Sequence, residues 1–315
     1  MFKADKFIDE QIEKVKQGVK GKAIIAASGG VDSTVCATLV SRAIGDRLLA
    51  VYVDTGFMRK GETDSVDKML RRLGVNHIVV DASDEYFTAL EGVTEPEMKR
   101  KIIGEKFIRV FEREAKKFGA ESLVQGTIAP DWIESGGGLR DTIKSHHNVG
   151  GLPKDMKLRL VEPLRDLYKD EVRKVARALK IEVAERQPFP GPGLAIRVLG
   201  EPTRASVAIV REACAIVEDE IEKAAAKGKF ELPWQYFAAL LPVKSVGVQG
   251  DVRAYGYTIV VRAVDSLDAM SANYSKIPHD VLEAISIRIT NEMKETVNRV
   301  VYDITNKPPG TVEWE

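Results

Sequence analysis

The sequence predicts a doubly wound parallel α/β sheet followed by a smaller α+β domain. Three observations carry that prediction. Apolar runs without alternation, such as Ala23-Ile24-Ile25-Ala26-Ala27 and Leu48-Leu49-Ala50-Val51-Tyr52-Val53, are separated by segments of helical period, as in a parallel sheet buried on both faces. Polar residues follow the carboxyl ends of those runs, where ligands collect in an open sheet. Past Pro188-Phe189-Pro190-Gly191-Pro192-Gly193 the pattern changes to paired β-rich runs between two helices.

Taken in order, Ile8, Ile12, Val15 and Val19 keep helical spacing and place an amphipathic helix before the first strand. The hexapeptide Ser28-Gly29-Gly30-Val31-Asp32-Ser33 then joins that strand to a helix over 33–44. Consecutive glycines let the backbone turn sharply and approach a ligand, and the free N–H groups of a first helical turn bind phosphate. No lysine is present, and the carboxylate of Asp32 would repel a polyphosphate unless a divalent cation lay between them, so these residues call for Mg²⁺. Strands follow at 48–53, 78–81, 123–126 and 158–162, with helices at about 62–73, 96–118 and 169–180 between them. Ser28, Asp54, Asp81 and Gly126-Thr127 therefore fall on one edge.

Residues 131–152 are glycine-rich around a polar centre, which favours a lid over phosphates. Lys144 would neutralise charge there, and Asp131 or Glu134 would be available to Mg²⁺. The proline-glycine segment reads as a linker, which divides the chain into 1–187 and 188–315. The second part combines helices at 203–226 and 278–296 with strands at 243–249, 256–264 and 299–304, the make-up of domains that pair two subunits.

Composition narrows the class. Lys+Arg and Asp+Glu are equal at 47, which argues against a protein that coats nucleic acid or an anionic membrane. No apolar run approaches the length of a membrane span, and Met1-Phe2-Lys3-Ala4-Asp5-Lys6 lacks the core of a signal peptide, so the expected location is the cytoplasm. Cys36 and Cys214 stand far apart with no CxxC, the pattern of core residues.

The hexapeptide resembles the pyrophosphate loop of the ATP pyrophosphatases, which split ATP between its α- and β-phosphates. Four further blocks, Gln125-Gly126-Thr127-Ile128, the 143–153 segment IKSHHNVGGLP, the 189–195 segment FPGPGLA and the 307–315 segment KPPGTVEWE, are similar in order and spacing to the GMP synthetase family. The resemblance implies that the C2 oxygen of XMP attacks the α-phosphate of Mg²⁺-ATP, pyrophosphate leaves, and ammonia then displaces AMP to yield GMP.

Carried over by residue, it implies that Ser28, Gly29, Gly30, Val31, Asp32 and Ser33 hold ATP, with Asp32 near the metal. Asp131, Glu134, Lys144 and His146 would assist adenylylation. Arg299, Lys307 and Glu313 would bind XMP, with Gln235 and Arg100 as weaker candidates for that pocket. The chain has Ala129 where many members carry an aromatic and Gln187 where many carry His. The loop arrives by residue 28, ahead of which most members have a glutamine amidotransferase domain, so the resemblance implies a separate glutaminase subunit as source of ammonia. Other ATP pyrophosphatases, such as NAD synthetase or a tRNA thiolase, and a nucleotide-sensing subunit without turnover are the alternative readings.

Overall fold

In the computed structural model, which describes residues 2–130, 158–182, 187–249, 251–267 and 269–315, the chain divides into two compact units. The first comprises Met1–Thr55, Gly61–Ala82 and Gly104–Glu185, the second Gly56–Lys60, Ser83–Ile103 and Arg186–Glu315. In chain order the elements are α1 (Ala4–Gly18), β1 (Ala23–Ala26), α2 (Val31–Ile44), β2 (Leu48–Asp54), α3 (Glu62–Arg72), β3 (His77–Asp81), α4 (Ser83–Ala89), α5 (Pro96–Phe118), β4 (Ser122–Val124), β5 (Arg159–Val161) and α6 (Lys169–Ala178). They continue as α7 (Arg204–Ala226), β6 (Gln235–Gln249), β7 (Val252–Asp265), β8 (Asn273–Tyr274), α8 (His279–Glu292) and β9 (Val297–Tyr302).

The first unit is a five-stranded parallel sheet of order β3-β2-β1-β4-β5. Burial explains the missing alternation: Ala23, Ile24 and Ile25 of β1 and Leu48 through Val53 of β2 are all buried, because these central strands are covered on both faces. At the edge, Leu160 of β5 is exposed. The order places β1 between β2 and β4, so the connections leave it in opposite directions. The carboxyl ends of β1 and β4 thus form the switch point at which such sheets bind ligands.

In the second unit β6 and β7 form a long antiparallel hairpin, and β9 adds parallel to β7, a mixed sheet as expected. Helix α7 packs on β6 and α8 through a face of Val207, Val210, Ala213, Cys214, Val217 and Ile221, and Thr203 caps it by accepting from the Ser206 N–H. The structure starts β6 at Gln235, eight residues ahead of the strand read at 243. Pro242, which has no N–H, reads as a breaker; the strand instead passes through it with a register shift between Leu241 and Lys244. The short α4 and β8 also lie outside the sequence reading.

Several surface carboxylates sit below the ordinary value of 3.8: Asp67 through His77 and then Arg71, Asp170 through Lys174, Asp219 through Lys223 and then Arg288, and Asp280 through Lys229. A carboxylate lowered in the folded state contributes stability above its unfolded value and loses it as pH falls through the folded value. Asp170 and Asp280 are exposed and Asp67 and Asp219 half-exposed, so each contribution is small. Thermal melts across pH are therefore expected to be flat in this respect down to about pH 4 and to decline below it. A midpoint that rises below pH 4 would contradict these pairings.

Candidate active site

In the first unit the candidate site is the turn between β1 and α2. Gly29 adopts φ +77, and a Cβ there would stand 2.6 Å from Val66 Cγ2, so both backbone and space require glycine. Gly30 is the N-cap of α2, with no side chain capping the helix. The hydroxyls instead close the turn: Ser28 Oγ and Ser33 Oγ lie 2.9 Å apart, Gly30 N–H donates to Ser28 Oγ at 3.3 Å, and Ser33 Oγ donates to Gly30 O at 3.0 Å. Thr34 Oγ1 also donates to Gly30 O, at 2.8 Å. The first-turn amides of α2 therefore present a positive helix end beside two hydroxyls, which suits a phosphate. Asp32 stands half-buried in that first turn.

Gly126, just past β4, braces this turn from the other side of the switch point. A Cβ on it would meet Asp32 C at 3.2 Å and Asp32 O and Ser33 N at 3.3 Å. Replacing Gly126 by Ala must push the Asp32-Ser33 backbone by a few tenths of an ångström. We expect it to weaken binding of a phosphate ligand at this turn by about tenfold. An unchanged affinity would contradict this placement of Gly126.

Neither cysteine is built as a nucleophile. Cys36 is buried with its Sγ donating to Gln125 O at 3.4 Å, and burial followed by the charge of Asp32 raises its pKa. Burial likewise raises that of Cys214. No group of three or more His, Cys, Asp or Glu fit to hold a metal ion occurs among the described residues, and no helix among them is long and apolar enough to cross a membrane. Of the sequence-derived candidates, Asp131, Glu134, Lys144 and His146 lie outside the described residues.

A separate polar cluster lies in the second unit, where the 303–315 segment is tied down by many polar contacts. Glu313 and Gln235 come together: Gln235 Nε2 donates to Glu313 Oε1 at 2.8 Å and to Pro188 O at 3.2 Å. Arg197 grips the same carboxylate with Nε to Oε2 at 3.0 Å and Nη2 to Oε1 at 2.9 Å. Burial opposes the charge of Arg197, but Glu313 outweighs it and holds the guanidinium firmly protonated. Lys307 joins the segment to the 269–272 loop through mutual backbone bonds with Ala272, and its Nζ donates to Ala269 O at 2.8 Å. Arg100 donates to Glu97 and to the main-chain O of Glu315, while Arg299 Nε donates to Ser245 Oγ at 3.2 Å on the β6–β9 side. The structure thus unites Gln235 with Glu313 directly, ties Arg100 to Glu315 in the same segment, and engages Arg299 elsewhere.

Sequence reasoning missed Arg197, Arg262 and Lys99. Arg262 donates to Val312 O, Thr311 O, Thr305 O and Asp303 Oδ2, and Asp303 also accepts from Trp314 Nε1 at 3.0 Å. Lys99 Nζ binds the Glu315 carboxylate together with Val198 O at 2.8 Å and Ala195 O at 3.3 Å. Burial pushes Lys99 down and Glu315 up, each opposed by the other's charge. A signal did exist: Arg197 and Arg262 are single cations inside apolar runs, Leu194-Ala195-Ile196-Arg197-Val198-Leu199 and Ile259-Val260-Val261-Arg262-Ala263-Val264.

An uncapped glycine turn at the switch point of a parallel sheet, carrying a carboxylate and no lysine, is the arrangement expected of an ATP pyrophosphatase of the adenine nucleotide α-hydrolase-like fold. The family described as queuosine biosynthesis protein QueC matches residues 22–187, and that described as GMP synthase C terminal domain matches 219–314. One of the subunits of the glutamine-hydrolyzing GMP synthase of Thermoplasma acidophilum is 58% identical over 309 residues, 98% of each chain. The corresponding protein of the same name from Thermococcus kodakarensis is 60% identical over 315 residues, 99% of each chain. The glutamine-hydrolyzing GMP synthase of Geobacillus kaustophilus is 56% identical over 316 residues, 99% of this chain and 61% of its own. The chain belongs to the family of ATP pyrophosphatase subunits of GMP synthase, a family of carbon–nitrogen ligases.

Proposed function

We propose that the protein adenylylates XMP with ATP, releases pyrophosphate, and lets ammonia displace AMP to give GMP. The observation that carries this reading is the pairing of the 28–33 turn with a KPPGTVEWE segment in a chain of this family. In it, the first-turn amides of α2 and the Ser28 and Ser33 hydroxyls bind the β- and γ-phosphates. Asp32 is the residue that would hold Mg²⁺, since Mg²⁺ is commonly bound through one or two carboxylates plus substrate phosphates, and this donor set fits. The cation when bound neutralises the departing pyrophosphate. No protein nucleophile is required, so orientation and electrostatics carry the acceleration, with Asp131, Glu134, Lys144 and His146 assigned to the adenylylation step.

Lys307 and Glu313, with Gln235, Arg100 and Arg299, are assigned to XMP: the cations suit its phosphate and the carboxylate suits an N–H of the base. Ammonia would come from a separate glutamine amidotransferase subunit. That reading is supported by the names of the Thermoplasma and Thermococcus relatives, each a single subunit of a glutamine-hydrolyzing enzyme, and by the greater length of the Geobacillus protein. Two copies would pair through the second unit, where Val246, Val248 and Tyr255 are exposed on the β6–β7 hairpin with Val246 opposite Tyr255. The isolated chain is expected to form GMP from XMP, Mg²⁺-ATP and ammonia but not with glutamine in place of ammonia. Absence of XMP-dependent pyrophosphate release with ammonia and Mg²⁺ present would overturn the reading.

A further inference from the structure

Among the described residues three cationic side chains are buried, Lys99, Arg197 and Arg262, and all three bind the 303–315 segment. Burying a charge is costly, and a buried ion pair contributes little net stability over an apolar filling of the same volume. Three such residues converging on one segment therefore point to placement rather than to stability. We propose that Arg197 is a positioning residue that fixes the Glu313 carboxylate, and with it the XMP-binding end of the tail, in one orientation. The inference rests on the assignment of Glu313 to XMP.

The geometry leaves Arg197 no freedom. Its side chain has no exposed surface, and its guanidinium lies 4.2 Å from the centre of the Phe237 ring and 5.2 Å from that of Phe189. Its edge is committed as well: Nε and Nη2 take both oxygens of Glu313, and Nη1 faces Cys214 Sγ at 3.9 Å. A two-point grip of this kind sets the plane of the carboxylate as well as its position, which a lysine cannot do. Gln235, itself anchored on Pro188 O, holds Oε1 from a further direction.

What remains open is a small part of Glu313, whose side chain keeps 14% of its surface. With its charge already matched by Arg197, this carboxylate is poorly suited to a cationic group and well suited to accept from a neutral N–H, the kind that a purine dione presents. Arg197 thereby contributes to selection of the base without touching it. The proline-glycine segment gains a role too, because Phe189 and Pro188 supply one ring face and one carbonyl to this arrangement.

The test uses the full chain with ammonia as nitrogen donor and begins with wild-type XMP-dependent pyrophosphate release, whose absence would refute the synthetase reading itself. Given that activity, Arg197→Ala and Arg197→Lys are expected to raise the KM for XMP by about thirtyfold and about tenfold, with that for ATP within about twofold. Adding Glu313→Gln to Arg197→Ala is expected to cost far less than Glu313→Gln alone, because the two act as one unit. Guanidinium at millimolar concentration is expected to lower the XMP KM of Arg197→Ala and to leave Arg197→Lys unchanged. Where Arg197→Ala does not fold, Arg197→Lys, which keeps the charge, decides alone through the KM split. Equal effects on XMP and ATP, or an unchanged XMP KM, would overturn the proposal.

Discussion

Replacing Asp32 by Asn is expected to reduce XMP-dependent pyrophosphate release by about a thousandfold, roughly 4 kcal/mol, with the thermal midpoint within about 2 °C of wild type. The sign of the effect discriminates between two roles for this carboxylate. If Asp32 met the phosphates directly, two like charges about 4 Å apart at an effective dielectric near 20 would repel by about 4 kcal/mol, and removing the charge would tighten ATP binding. If it acts through a cation, removing the charge loses both metal and phosphate and raises the Mg²⁺ requirement. We expect the second outcome. Undiminished activity, or tighter ATP binding with faster turnover, would remove Asp32 from the metal site.

The second large effect falls on the tail. Lys307→Ala is expected to raise the KM for XMP by about thirtyfold, the worth of one charge-assisted hydrogen bond, and to leave that for ATP within about twofold. The fold should tolerate the change, because the backbone bonds between Lys307 and Ala272 remain and only the Nζ bond to Ala269 O is lost. An ammonium has three donors, and Ala269 O takes one of them. Steady-state kinetics with each substrate varied in turn provide the check. Equal loss for both substrates would refute the assignment of Lys307 to XMP.

How much of this was legible in the sequence depends on the range of the interactions. The central strands were, because burial of β1 and β2 on both faces removes alternation and leaves continuous apolar runs. So was the phosphate turn, since Gly29, Gly30 and Asp32 act within six residues of each other. The first half of β6 was not: Pro242 interrupts the pattern, and only pairing with β7 carries the strand past it. Least legible were the residues that hold the tail. Arg197 and Glu313 are 116 positions apart and Lys99 and Glu315 are 216 apart, so no local spacing marks either pair. A lone arginine in an apolar run was the available clue, and its meaning appears only when a distant carboxylate folds onto it.

In the proposed reaction the oxygen on C2 of XMP attacks the α-phosphate of ATP and later leaves on AMP. XMP carrying oxygen-18 at C2, incubated with the protein, Mg²⁺-ATP and ammonia, tests this by mass analysis of the nucleotide products. AMP is expected to carry the label and pyrophosphate to carry none. Unlabelled AMP, or label appearing in ADP or inorganic phosphate, would contradict it.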